Sequence, residues 1–237
     1  MILPSTRART VLATCSHVEL GILSDRVIIP AHLIDPRGAV LLRPGDGPCW
    51  DHLQNGQPCP LLDLVATDIT SVPQPDRIRA HVRMRGTVEL LPAPPHPQVR
   101  HHLGLSTGEP MARFVPECVI LNAPSPGDRY ATTVPLSAYA EAATDPLAGW
   151  EAAWISHLDS QHAQALRRLV SAQLELCGSE NVHALQADVH GITVRIYAPG
   201  FQRDLRLDFP REARCGCQAV DSFNAMVAQV APPGCQS

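Results

Sequence analysis

Two histidines, His157 and His162, lie five residues apart in a segment with helical periodicity. An imidazole can ligate a metal or transfer a proton near neutral pH, so these residues are the first candidates for chemistry. On a continuous helix a five-residue spacing separates two side chains by about 140°. The spacing therefore predicts that the pair does not clamp one metal ion as an i, i+4 pair would. His162 lies within the apolar arc of this helix, so a core histidine with one hydrogen bond is the simpler interpretation.

A second candidate is a strip of cationic side chains on one predicted strand. Between residues 77 and 91 apolar residues alternate with basic ones, as in a strand with one buried face. The basic members are Arg77, Arg79, His81, Arg83 and Arg85. Guanidinium groups bind phosphates and carboxylates through paired hydrogen bonds, so the strip could hold an anion. A solvated outer face of the sheet explains the same pattern equally well.

A third candidate is the pair Cys215 and Cys217, which flank a single glycine where the last helix is predicted to begin. Two thiols at a helix N-terminus could be redox-active or bind a soft metal ion. They are not a zinc site without two further ligands. The chain has 8 cysteines in all. Because no export signal is evident at the N-terminus, we expect them to be reduced and mostly buried.

The composition excludes several chemistries. All 19 Lys and Arg residues are Arg, so no lysine is available for a pyridoxal-phosphate Schiff base or for a phosphate-binding loop. The net charge of −4 argues against general nucleic-acid binding, which needs a basic face. No apolar run approaches the roughly 18 residues that cross a bilayer. We therefore expect a cytoplasmic protein that binds neither nucleic acid nor membrane.

The N-terminal half predicts short strands joined by proline-rich turns, after a first helix over residues 7–16. The predicted strands are 27–29, 39–42, 61–65, 77–91 and 115–121. Asp35-Pro36-Arg37-Gly38 has the residues of a tight turn, so the first two strands are predicted to form a hairpin.

The character of the chain changes near Pro135. We predict a short helix over 136–143 and then one long helix from Asp145 to Cys177, ended by Gly178. Three further strands and a last helix follow. These elements are predicted at 182–189, 192–196, 205–209 and 217–230.

The segment Asp145–Leu166 resembles the start of a small domain that follows split β-barrels in a known family. That domain begins with the signature His-Met-Asn-x-x-His-x-x-Ala-Leu. The matching positions are His157, Leu158, Asp159, His162, Ala165 and Leu166. Proteins with this layout are the HugZ-type haem oxygenases, related haem-utilisation proteins and the plant glutamyl-tRNA reductase-binding protein, whose barrels resemble pyridoxamine-phosphate oxidase. In the N-terminal half the resemblance is carried by Pro30–Gly38, His52–Asn55 and Arg77–Leu91.

The resemblance implies an α+β fold with an N-terminal antiparallel split β-barrel of the FMN-binding type over residues 1–134. It implies a linker helix region at 135–148 and a small C-terminal α+β domain at 149–237. It further implies a homodimer that binds haem or FMN and acts in haem, tetrapyrrole or iron metabolism. The implied cofactor-binding residues are His52, Asn55, Arg83, Arg85, His157 and His162.

Three functions stay open from the sequence. The protein could be a haem oxygenase-like enzyme, an FMN-dependent oxidoreductase, or a non-catalytic dimer that has lost its cofactor. The third would contact a protein partner in tetrapyrrole metabolism. The absence of a hydroxyl for a flavin phosphate in Pro44–Cys49 and of a histidine for haem iron in the tail from Ala231 favours the third function. The cofactor-binding members of the resembling family favour the first two.

Overall fold

A computed structural model of the chain describes residues 2–22, 25–45, 50, 53, 55, 61–94, 96–123 and 131–230. The helices in these ranges are α1 (Pro4–Thr14), α2 (Pro97–Leu103), α3 (Leu136–Glu141), α4 (Ala148–Gln161), α5 (Ala163–Ser171) and α6 (Gly216–Gln229). The first eight strands are β1 (Val18–Ile22), β2 (Asp25–Ile29), β3 (His32–Ile34), β4 (Val40–Leu42), β5 (Leu62–Ile69), β6 (Ile78–Leu91), β7 (Met111–Asn122) and β8 (Ala131–Val134). The last three are β9 (Asn181–Asp188), β10 (Gly191–Ala198) and β11 (Phe201–Asp208).

The N-terminal half forms one antiparallel sheet in the order β2-β1-β5-β6-β7-β4-β3, with β8 paired to β7. Alternating residues of β5 are buried, as the period-2 pattern of a half-buried strand requires. Their side chains pack with Val11 and Leu12 of α1, Phe114 of β7 and Trp50, all 0–1% exposed. The sheet is therefore curled around a single apolar core that α1 helps to cover.

The C-terminal part packs α4 and α5 against a second antiparallel sheet, in the order β11-β10-β9, and α6 packs against α5. Its core contains Trp154, Leu158, Leu166 and Phe223. Val72, from the loop between β5 and β6, packs in this second core. Residues of the N-terminal half thus contribute to both cores. The predicted boundary at residues 135–148 stays a prediction.

The turn at Asp35–Gly38 is confirmed. The predicted pairing of the strand at 27–29 with the strand at 39–42 is wrong. The Asp35 carboxylate accepts hydrogen bonds from the backbone N–H groups of Arg37 and Ala39, and Gly38 has a φ of 93°. The turn connects β4 to β3, while β2 pairs with β1 at the other edge of the sheet. Strand β3 has only three residues, so it shows almost no alternation that a sequence could reveal.

The single long helix predicted from Asp145 to Cys177 is also wrong. The chain forms two helices, α4 and α5, that meet at His162, whose φ and ψ are −124° and 21°. No proline or glycine marks the break in the sequence, and both helices pack on β9. The helical region ends at Ser171. In the loop that follows, the carbonyl oxygens of Cys177 and Glu180 accept hydrogen bonds from the Arg167 guanidinium.

The first helix begins earlier than predicted, at Pro4, and ends at Thr14. Proline is suited to the first turn because its missing N–H has no partner to lose there. The remaining predicted strands and the last helix are confirmed with small changes in their ends. None of the helices in the described ranges is both long and apolar enough to cross a membrane.

Candidate functional site

An open groove of about 310 Å³ lies between α4 and α6. It is lined by Trp150, Ala153, Trp154, His157, Leu158, His162, Val220, Phe223 and Asn224. Trp154, Leu158 and Phe223 are buried beneath it, whereas Ala153 and Val220 are exposed at its edges. The volume is at the lower end of the range of small-molecule pockets, about 300–1,000 Å³.

The helical repeat explains why these residues meet. The lining residues of α4 recur at intervals of three and four, and so do those of α6, which places each set on one side of its helix. Trp150 and Trp154 are stacked, with ring centroids 4.7 Å apart and an angle of 24° between the ring planes. Phe223 meets the Trp154 ring edge-on at 6.4 Å. The groove therefore has an aromatic wall.

The two predicted histidines come together at this wall. Their Nε2 atoms are 3.3 Å apart and their ring centroids 5.0 Å apart. The prediction that they point in different directions is wrong, because the helix ends at Gln161 and His162 leaves the helical path. His162 is half-buried with its ring edge against Phe223, and His157 is exposed. A hydrogen bond between two imidazoles needs one N–H donor and one free lone pair.

This arrangement can supply a nitrogen ligand beside a flat apolar surface. In the described ranges, neither ring is hydrogen-bonded to a carboxylate, and no cluster of three or more His, Cys, Asp or Glu side chains could hold a metal ion. A metal ion held here would therefore need most of its ligands from another source. A flat aromatic ligand that carries its own metal meets that requirement.

Asp159, the acidic residue of the matched signature, faces away from the groove. Its carboxylate accepts a hydrogen bond from the backbone N–H of Ala184 at 2.9 Å and contacts Nδ1 of His183 at 3.3 Å. The hydrogen bond to Asp159 raises the pKa of His183, although burial opposes this. Asp159 therefore attaches α4 to β9 and positions the groove without lining it.

The cationic strip on β6 is only partly as predicted. The pairing of β5 with β6 shifts register where Asp68 is opposite Ala80 and Ile69 is opposite Ile78. This bulge turns Arg79 into the interior, so its prediction as an outer-face residue is wrong. Arg83 and Arg85 are exposed on the outer face, and Arg85 makes one open ion pair of 3.3 Å with Asp63.

Of the predicted cofactor-binding residues that the structure describes, His157 and His162 line the groove. Arg83 and Arg85 lie on a strand of the barrel. Asn55 is exposed, and His52 lies outside the described residues. Sequence reasoning missed Phe223 as a lining residue. The signal that could have found it is the apolar spacing of the last helix, which places Val220 and Phe223 on the side that meets α4.

A cluster of buried charges lies at the junction of the two halves. The Arg79 guanidinium donates to Glu151 Oε1 at 2.5 Å and to Asp68 Oδ1 at 2.6 Å. Arg7 donates to Asp68 Oδ2 and to Gln186 Oε1, both at 2.6 Å. Burial alone would lower the pKa of Arg79, but the charges of Glu151 and Asp68 outweigh it and the pKa is raised. The cluster joins the barrel to α4 and β9.

No protein-family model matches this chain, and no curated protein matches it. Among solved structures, the chain is similar to a heme binding protein from Mycobacterium smegmatis, with a TM-score of 0.60 and 16% identity, covering 97% of this chain and 99% of that one. A protein of unknown function from Agrobacterium tumefaciens aligns with a TM-score of 0.36 and 16% identity, covering 97% and 98%. An FAD binding protein from Mycobacterium smegmatis aligns with 0.34 and 12% identity, covering 56% and 100%.

The first of these likenesses establishes the fold. The predicted α+β architecture, a split barrel followed by a C-terminal α+β part, is confirmed. The other two have TM-scores below 0.5 and carry no argument. The narrower HugZ-type resemblance stays a prediction.

Proposed function

We propose that this protein binds haem in the groove between α4 and α6, with an imidazole of the His157–His162 pair as the iron ligand. The observation that carries the proposal is the pair itself, with Nε2 atoms 3.3 Å apart at the edge of an aromatic groove. The likeness to a heme binding protein over almost the whole chain supports it.

The residues of the groove fit the chemistry of haem. Haem iron takes an axial ligand from a histidine in many proteins, and the protein tunes the iron through that ligand and its neighbours. The stacked rings of Trp150 and Trp154, with Phe223, offer apolar contact to a flat macrocycle. When bound, haem would supply redox or oxygen chemistry, and the histidine pair would hold the iron and place a second imidazole near it.

The small volume of the groove suggests that a second chain is needed to enclose haem. A volume of about 310 Å³ encloses only part of a tetrapyrrole, so the remainder would extend beyond α4 and α6. A second copy of the chain is the partner that we propose for covering it, which makes the working form a homodimer. Within this proposal the protein acts in the cytoplasm in haem, tetrapyrrole or iron metabolism.

Hemin titration of the purified full-length protein tests the proposal. We expect a Soret band of bound haem in the wild type, and at least a tenfold loss of affinity, about 1.4 kcal/mol, when both His157→Ala and His162→Ala are present. His101→Ala is the matched control, because His101 is also exposed but lies on α2. No Soret band with the wild type, or an unchanged band in the double variant, would overturn the proposal.

A variant that fills the groove provides a second test. Ala153 is exposed on the groove wall, so Ala153→Trp occupies the space without disturbing the core. We expect it to weaken hemin binding while leaving the far-UV circular dichroism unchanged. Hemin binding as tight as in the wild type would show that haem lies elsewhere.

Parallel titration with FMN separates the flavin alternative. The exposed guanidinium groups of Arg83 and Arg85 are the predicted anchor for a phosphate. If the protein binds FMN rather than hemin, and loses it in the double variant Arg83→Ala and Arg85→Ala, the flavin function replaces the proposed one.

A further inference from the structure

Two thiols lie at the start of α6, the helix that forms one side of the groove. Cys215 is the N-terminal cap of α6, with extended backbone angles of −151° and 165°, and Cys217 is in its first turn. Cys215 is half-buried and Cys217 is exposed. Only Gly216 separates them, so the two side chains start from neighbouring points on one short backbone segment.

The cysteine pair is next to the groove. A Cβ atom added to Gly216 would lie 2.9 Å from the indole ring of Trp150, which shows that the backbone between the cysteines packs directly against a groove residue. Cys217 also precedes Val220 by three residues and Asn224 by seven, so it continues the side of α6 that lines the groove. A change in the conformation of this segment would therefore reach the aromatic wall.

The surroundings of Cys215 favour its thiolate. The neighbouring Cys217 thiol, followed by the backbone N–H of Gln218, favours the thiolate of Cys215 and lowers its pKa. The interaction with Cys215 raises the pKa of the Cys217 thiol. No acidic residue lies in the first turn of α6, where the partial positive charge of the helix N-terminus stabilises an anion. A thiolate beside a second, protonated thiol is the arrangement that begins thiol–disulfide exchange.

We propose that Cys215 and Cys217 form a reversible dithiol–disulfide pair that is oxidised by a low-molecular-weight disulfide. The Cys215 thiolate attacks one sulfur of that disulfide, its S–S bond breaks, and one thiol leaves. The Cys217 sulfur, after losing its proton, then attacks the mixed disulfide and releases the second thiol. The protein loses two protons and two electrons, and the external disulfide gains both.

Closing the bond has a structural consequence. A disulfide needs a Cβ–Cβ distance of about 3.8 Å and a Cβ–S–S–Cβ dihedral near 90°. Because only Gly216 separates the two cysteines, the backbone from Cys215 to Cys217 must adopt a conformation that meets both requirements. The carbonyl oxygen of Cys215 accepts the first helical hydrogen bond, from the N–H of Ala219 at 3.1 Å. Oxidation is therefore expected to shift the start of α6 against Trp150. This inference concerns the thiols alone and stands whether or not haem binds in the groove.

Equilibration of the full-length protein in glutathione buffers of increasing GSSG content, followed by acid quench and mass spectrometry, tests the pair. We expect a loss of 2 Da, the mass of two hydrogens, that maps to the peptide with Cys215 and Cys217 and reverses when reduced glutathione is restored. Cys215→Ser and Cys217→Ser should each abolish it and leave a single glutathione adduct. Serine is a good helix cap, so the first variant is expected to fold. Cys177→Ser, which removes another exposed thiol, should change nothing.

A reduced pair at every buffer composition, or two separate glutathione adducts in the wild type, would overturn the proposal. Tryptophan fluorescence gives an independent measurement, because Trp150 contacts the segment that oxidation is expected to move. We expect the emission to change on oxidation of the wild type and to stay constant in Cys217→Ser. An unchanged emission in the fully oxidised wild type would overturn the predicted link to the groove.

Discussion

The buried cluster around Arg79 and the histidine pair in the groove use polar side chains in opposite ways. The side chains of Arg79, Asp68 and Glu151 are 7%, 4% and 9% exposed, and each is bound to a partner of opposite charge. The two imidazoles contact each other at the edge of an open groove. A buried charged side chain whose hydrogen-bonding groups are all paired has none left for a ligand. An accessible imidazole with one hydrogen bond can still bind one. The difference separates a structural cluster from a candidate site.

The largest expected effect is in the buried cluster. Arg79→Ala removes the cation that Asp68 and Glu151 share. Asp68 keeps its ion pair with Arg7, but Glu151 is left as an uncompensated buried charge, which costs about 3–5 kcal/mol. We expect the free energy of unfolding in urea to fall by that amount. Arg85→Ala is the matched control on the same strand, because its ion pair with Asp63 is 62% exposed at both ends and should be worth at most ~1 kcal/mol. Equal effects of the two substitutions would remove the distinction between buried and exposed charges.

A smaller effect is expected at the hydrogen bond between α1 and the segment before α4. The Thr10 hydroxyl accepts a hydrogen bond from the buried N–H of Asp145 at 2.8 Å. Thr10→Val leaves that N–H unpaired, which costs about 1–3 kcal/mol of the free energy of unfolding. Thr14→Val on the same helix is the control, since the Thr14 hydroxyl only donates to the carbonyl of Thr10. If both variants unfold at the same urea concentration, this bond does not contribute to stability.

The sequence predicted most elements of the fold, because long alternating strands and apolar helix faces follow directly from burial. Strand β6 and the helix over Gly216–Gln229 are of this kind. What failed depends on contacts between distant residues. The bulge that turns Arg79 inward needs the pairing of β5 with β6. The break at His162 has no proline or glycine to mark it in the sequence, and both α4 and α5 pack on the distant strand β9.

The candidate site shows the same limit. The types and spacing of His157 and His162 identified them as candidates, but the spacing on a straight helix predicted the wrong geometry. The exposure of Arg83 and Arg85 follows from the alternation of β6 and is correct. Alternation cannot show whether the exposed face of β6 binds a ligand. The same alternation also predicted an exposed Arg79, which is buried.

The pair of His183 and Asp159 is intermediate between the two regions, because both side chains are partly exposed. The pKa of His183 is raised in the folded protein above its ordinary value of 6.5. Its contribution to stability is therefore complete below about pH 6.5 and is lost as the pH rises through the raised value. We expect the difference in unfolding free energy between the wild type and His183→Gln to shrink between pH 6 and pH 9. A difference that grows with pH over this interval would contradict the assignment.

The smallest expected effect on stability is at His157. Its side chain is exposed and its contact is a single hydrogen bond to His162, so His157→Ala should change the free energy of unfolding by no more than about 0.5 kcal/mol. Urea unfolding without added hemin measures this, with Thr10→Val as the reference for a structural bond. A small effect, together with a large loss of hemin affinity, is the combination expected of a binding residue. A loss as large as that of Thr10→Val would assign the histidine pair to the structure of the C-terminal part, and the haem proposal would lose the observation that carries it.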